Sequence, residues 1–199
     1  MSSHKWCRTI DGKEIDLFDP DPSLFTVDTI ANVLARIDRF AGHWLYPVSV
    51  ARHSILVSNL LGVQGCNVEV QLQGLFHDAA EAFTTDIPSP LKRLLSIRIV
   101  HNCGSVSYGN GQIPFATFEE TLLRRIFARL GIEWPLCREV HETDHWVTEQ
   151  ECLWVRGKSS MYRGATTDPD IVASVFKRRA KELFNERAHA NGMPMGVRK

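Results

Sequence analysis

From Thr26 onward the apolar residues of this chain recur at the helical period, and that recurrence restricts most of it to a packing of helices. Thr26 suits the N-cap of a first helix through Ile30, Val33, Leu34 and Ile37. Further helices are predicted at 47–61, 68–83, 90–99, 115–130, 136–155 and 169–188. Gly62, Gly131 and Gly157 each follow a periodic run, where a C-terminal cap would stand. Ahead of the helices, Arg8 to Leu17 alternates polar and apolar residues around Asp11-Gly12. That pair favours a type I′ turn, so a small hairpin is predicted at about 8–18. Two stretches, His101 to Pro114 and Gly157 to Pro169, lack a period and are rich in Gly, Ser, Asn or Thr. They read as mobile loops that could border a site. The expected fold class is all-α, with one domain over 1–199, an N-terminal hairpin and a helical core at about 26–188.

With Lys+Arg and Asp+Glu both at 23, no overall field draws the molecule to a nucleic-acid backbone or an anionic membrane, so a charged ligand must be met by local charges. No apolar run reaches the ~18 residues of a membrane span, and Met1 to Trp6 lacks the basic-then-apolar build of a signal peptide. The cysteines (Cys7, Cys66, Cys103, Cys137, Cys152) are odd in number, scattered and without a C-x-x-C pair. This argues against a disulfide framework or a structural zinc cluster and for a reducing, cytoplasmic setting.

Three places put costly polar groups on apolar faces. His77-Asp78 sits among Leu72, Leu75, Phe76, Ala79 and Phe83, where two adjacent polar side chains must be paired with each other or bound to a cation. Glu81 shares their face. His53 falls on the stripe Val50, Val57, Leu60 and Leu61, and Asp144 on the stripe Val140, Val147 and Glu151. Each alone is satisfied by an ordinary buried hydrogen bond. Together they offer two imidazoles and two carboxylates from three helices, a donor set suited to a divalent cation.

The order His53, His77-Asp78, Asp144, with the stretch HDAAEAFTTDIPSPLKRLL (His77 to Leu95), resembles the signature of HD-superfamily phosphohydrolases. It is most similar to the small single-domain branch that holds bacterial 5′-deoxynucleotidases and phage deoxynucleoside-triphosphate hydrolases. The resemblance spans about 8–155 and weakens across 97–114 and at the carboxyl end. It implies that His53, His77, Asp78 and Asp144 hold a divalent ion (Zn, Co, Mn, Ni or Fe, with Mg possible beside a triphosphate). It also implies that Glu81 positions or activates the attacking water and that Asp86 acts as a second acidic group, a candidate leaving-group acid. Arg39 and Lys92 match positions that grip phosphates, which supplies the local positive charge that the neutral chain needs. Phe40 stands where an aromatic crowds a ribose 2′-hydroxyl and so favours deoxynucleotides. His43 and Trp44 lie near the same pocket, Trp44 as a base-stacking or a core residue. The implied activity is hydrolysis of phosphate from a small deoxynucleotide, with deoxyadenine favoured and monophosphate versus triphosphate open. The implied assembly is a homo-oligomer, a dimer or a hexamer, in the bacterial cytoplasm or in that of a phage host.

A rival motif overlaps this site. His141-Glu142-Thr143-Asp144-His145 matches the H-E-x-x-H of zinc peptidases, with Glu142 as base, although no third ligand follows in frame. A third reading is a nucleotide sensor without turnover.

Overall fold

Hydrogen bonds at the ends of the periodic stretches set most of the helix boundaries. In the computed structural model, which describes residues 5–9, 12–17, 19–43, 46–99, 111–156, 162, 165–190 and 192, the Thr26 side chain accepts from the Thr29 N–H and starts α1 (Val27–Leu34). Ser49 caps α2 (Val50–Val63) in the same way, and Asn67 caps α3 (Val68–Phe76). The other helices are α4 (Glu81–Thr84), α5 (Ser89–Lys92), α6 (Phe115–Leu130), α7 (Arg138–Val155) and α8 (Pro169–Ala190). α6 closes on Gly131 in the left-handed conformation, as predicted. Among the described residues, no helix is long and apolar enough to cross a membrane.

The fold is largely helical and carries two small antiparallel pairs. β1 (Lys5–Arg8) pairs with β2 (Glu14–Asp16), which gives the predicted hairpin. Its turn is longer than the two-residue form expected: Arg8 faces Glu14, and Thr9 O accepts from the Gly12 N–H. The second pair, β3 (Ser96–Ile99) with β4 (Gly111–Pro114), corrects the predicted helix at 90–99 and the irregular stretch ending at Pro114. The helix stops at Lys92, and Ile97 with Ile99 alternate with Ser96 and Arg98, a strand period hidden by the apolar run before it. Residues 100–110 and 157–161, which hold most of the two predicted loops and Gly157, lie outside the described residues.

Several further boundaries differ from the sequence reading: α1 ends at Leu34, short of Ile37, and α2 starts at Val50 instead of 47. α2 runs through Gly62 instead of ending there, and Gly65 takes the positive φ. A Cβ on Gly62 would come within 2.9 Å of Gln71 Oε1, so Gly62 serves close helix contact, not capping. The predicted helix at 68–83 breaks after Phe76, because the His77 ring N–H takes the Gly74 carbonyl that a continued helix would offer to residue 78. Shorter i→i+3 bonds follow, from Ala79 to Phe76 O and from Glu81 to Asp78 O, before α4 begins.

The core gathers Phe25, Ile30 and Leu34 of the α1 region, Leu72, Leu75 and Phe76 of α3, Ile126 and Phe127 of α6, and Phe176 and Leu183 of α8. Each of these buried side chains contributes roughly 1.5–3 kcal/mol. A smaller cluster of Val57 and Leu61 with Val140 and Val147 joins α2 to α7, and so fixes the helices that carry His53 and Asp144.

Gly74 lets α3 press against α2: an added Cβ would lie 2.3 Å from Leu61 Cδ1, with Leu61 fully buried. Gly74→Ala is therefore expected to cost about 1–3 kcal/mol by overpacking. The same change moves the carbonyl that orients His77, so thermal unfolding should show lower stability and titration should show weaker divalent-ion binding. An unchanged Tm would show that Leu61 has room to turn aside.

Candidate metal centre

The break after α3 and the crossing of α2 with α7 bring separate ligand groups to one point. His53 lies in the first turn of α2 and is fully buried. Its Nδ1 stands 3.1 Å from Glu151 Oε1, so the Nδ1–H donates to that carboxylate and Nε2 is left as a lone pair. His77 follows the same logic with a different partner, since Nδ1–H donates to Gly74 O at 2.8 Å. Its buried Nε2 makes no hydrogen bond among the described residues, although it faces Asp78 Oδ2 at 3.2 Å. Asp144 Oδ1 lies 2.9 Å from His53 Nε2 and 3.7 Å from His77 Nε2.

His53, His77 and Asp144 thus form a group that could hold a metal ion. Two ring nitrogens aimed at one carboxylate oxygen are satisfied either by protons, which Asp78 and Asp144 favour on His77 against the effect of burial, or by a shared cation in their place. Ligands bound to one ion at about 2.0–2.2 Å sit roughly 3.0–3.5 Å apart, close to the spacing seen. Asp78 stands at the edge of this group, with Oδ2 at 3.9 Å from His53 Nε2. Burial works to raise the pKa of both aspartates, but the positive charge and N–H donors of protonated imidazoles outweigh it in the ion-free centre, and a bound cation would supply that charge in their place. Asp78 is held at about 2 and Asp144 far below the usual carboxylate range, so both are ionised and able to ligate.

Beside the centre lies a cavity of about 500 Å³, in the range of small-ligand sites, whose lining includes Arg39, Phe40, Glu81, Asp86, Lys92 and Thr148. Glu81 Oε2 is buried without a hydrogen-bond partner among the described residues. Burial, then the charges of Asp78 and Asp86, push its pKa well above the usual range, and burial also raises Asp86. Arg39 and Phe40 arrive on a turn in which Phe40 and Ala41 both have positive φ, near +55°. The Phe40 N–H donates to Asp86 Oδ2 at 3.0 Å, so Asp86 ties this strained turn to the site.

Two predicted phosphate contacts carry other partners. Lys92 Nζ lies 2.6 Å from Glu119 Oε2 and 3.3 Å from Glu81 Oε1, which makes it a brace for Glu81 as well as a wall of the cavity. Arg39 donates through Nε to Glu151 at 2.9 Å and through one terminal nitrogen to Thr148 at 3.0 Å. Its other terminal nitrogen stands 3.5 Å from Asp78. His43 is exposed and is not part of the cavity lining, and Trp44 lies outside the described residues.

His141 and His145 do not join a group of three candidate ligands among the described residues. His145 instead pairs with Glu149 at 3.4 Å on the exposed side of α7.

Glu119, Glu151 and Tyr162 carry no role that the sequence alone implies. The stripe spacing already placed Glu151 two turns beyond Asp144 on the buried face of α7, and a carboxylate there needs a partner. Glu119 and Tyr162 reach the site through tertiary packing, which no local pattern marks.

No family model matches the chain. It is similar to the uncharacterized protein YfdR of Escherichia coli strain K12, at 40% identity over 88 residues, covering 44% of this chain and 47% of the relative. It is also similar to an uncharacterized protein of Rhodobacter capsulatus, at 36% identity over 91 residues, covering 44% of this chain and 46% of the relative. The chain thus spans about half the length of the curated relatives it matches.

Proposed function

We propose that this chain is a metal-dependent phosphohydrolase of the HD superfamily that acts on a small nucleotide, with a deoxynucleotide preferred. The observation that carries the reading is the convergence of His53 Nε2, His77 Nε2 and Asp144 Oδ1 beside a cavity that holds an arginine, a lysine and two carboxyls of raised pKa. Asp78 is the fourth ligand in this reading, from the edge of the group.

A divalent ion bound there supplies Lewis acidity at phosphorus and lowers the pKa of a water. The chain's own groups do the rest. Arg39 is fixed before substrate arrives, so its guanidinium meets phosphate oxygens with little loss of freedom. Glu81, made more basic by its surroundings and steadied by Lys92, takes the proton of the attacking water. Asp86 keeps its proton to higher pH than an ordinary aspartate, which suits it to protonate the departing oxygen. Phe40 lines the cavity beside Arg39, and there it would crowd a 2′-hydroxyl.

The test is a panel of deoxy- and ribonucleoside mono- and triphosphates, assayed with Mn, Co, Zn, Ni, Fe and Mg and with products identified. Release of phosphate or tripolyphosphate from a deoxynucleotide, abolished by chelation, is expected. Turnover of a peptide with no nucleotide hydrolysis would contradict the reading.

A further inference from the structure

We infer that Glu151 is a positioning residue that sets the metal ligand His53 and the arginine Arg39 in one arrangement, with Tyr162 locking the carboxylate in place. Only the role given to Arg39 rests on the function proposed above; the link to His53 stands on the metal centre alone.

Glu151 is fully buried on α7, and its two oxygens take donors from three separate parts of the chain. Oε1 accepts from the His53 Nδ1–H at 3.1 Å and from the Tyr162 hydroxyl at 2.5 Å, and Oε2 accepts from the Arg39 Nε–H at 2.9 Å. A carboxylate has about four acceptor positions, so this one is nearly saturated and has little freedom to turn. Tyr162 is itself confined, with the Arg52 guanidinium 4.3 Å from its ring centre and Trp154 edge-on at 5.5 Å.

Two consequences follow for the centre. The bond to Nδ1 fixes the His53 tautomer and ring plane, which leaves only Nε2 to ligate. The bond to Nε holds back Arg39, whose terminal nitrogen is already 3.5 Å from Asp78. A buried guanidinium without Glu151 would be drawn to Asp78 and Asp144, the carboxylates that a metal ion requires. Glu151 thus orients one ligand and keeps a competing cation off two others.

The test is Co(II) binding to the full chain, read by competition titration and by the visible absorption of the bound ion, for wild type, Glu151→Ala, Glu151→Gln and Tyr162→Phe. Glu151→Ala is expected to weaken Co(II) about 10–100-fold and to change the spectrum. Glu151→Gln, which still offers an oxygen to His53 but leaves Arg39 without its counter-charge, should fall between the two, and Tyr162→Phe should show a smaller loss. Adding Arg39→Ala to Glu151→Ala should restore part of the affinity, because the competing cation is then gone. Wild-type affinity and spectrum in Glu151→Ala would overturn the inference. So would a fall in Tm alone with the spectrum unchanged, since that is what a purely structural residue gives. If Glu151→Ala does not fold, a wild-type Co(II) affinity and spectrum in Glu151→Gln overturns it instead. These readouts need no nucleotide, so a chain that hydrolyses none still tests Glu151.

Discussion

Replacing Glu81 with glutamine is expected to abolish hydrolysis and at the same time to stabilise the protein. The loss in kcat should be about 10²–10⁴-fold, the usual contribution of a positioned general base. KM should change little, because Lys92 stays held by Glu119 at 2.6 Å and Arg39 does not touch Glu81. The gain in stability comes from linkage. The folded protein raises the pKa of Glu81 well above its ordinary value of 4.5, by burial and by the charges of Asp78 and Asp86. Between 4.5 and that raised value the native state therefore holds a proton that the unfolded chain has released, so stability falls as pH rises through this window. At neutral pH, above its ordinary value of 4.5, Glu81 is therefore a cost that glutamine removes. Each kcal/mol relieved should appear as roughly 2–4 °C in Tm for a chain of this size. Scans in the presence of a chelator should show the variant more stable than wild type at pH 7 to 8, with the gap closing as pH falls toward 4.5. A variant less stable than wild type at neutral pH would mean that Glu81 is ionised and well paired, and that its proposed role as a base has lost its physical ground.

The second large effect is expected from His77. Its Nδ1–H is committed to the Gly74 carbonyl and its buried Nε2 is without a hydrogen-bond partner among the described residues, so His77→Ala removes the proposed metal ligand together with the bond that ends α3. A bound ion supplies several kcal/mol of transition-state stabilisation. At 1.36 kcal/mol per decade the rate should drop about 10²–10⁴-fold or more. Binding should also be visible without any substrate. An ion present at 100 times its Kd stabilises the native state by about 2.7 kcal/mol, so divalent metal should raise the Tm of wild type and leave that of His77→Ala unchanged. His145→Ala is the control, since His145 is exposed and paired with Glu149. If His145→Ala lost metal and His77→Ala kept it, the peptidase motif on α7 would be the true site.

How much of this was legible in the sequence depends on whether a feature is local. Thr26, Ser49 and Gly131 act within a turn of themselves, so the helix ends they set were readable or nearly so. The inward placement of His53 and His77 was readable because each interrupts an apolar stripe, and an apolar stripe marks a buried face; Asp144, expected buried by the same argument, lies at the edge of that face with its side chain 36% exposed. The strand Ser96–Ile99 was not, because its identity comes from pairing with Gly111–Pro114, beyond the reach of any short window. The break at His77 was hidden for a related reason: a side chain competes with the backbone for one carbonyl, and composition does not show which wins. The partners of Lys92 and Arg39 were the largest surprise. Cations expected to face phosphate are held by Glu119 and Glu151, and those carboxylates become their neighbours only once α6 and α7 are packed.

The measurement that tests the central claim most directly is an anomalous difference map from crystals of the full chain grown with manganese or cobalt. One strong peak is expected about 2.0–2.2 Å from His53 Nε2, His77 Nε2 and Asp144 Oδ1, with Asp78 drawn in as a fourth ligand. A peak between His141 and His145, or none at all under saturating metal, would contradict the account.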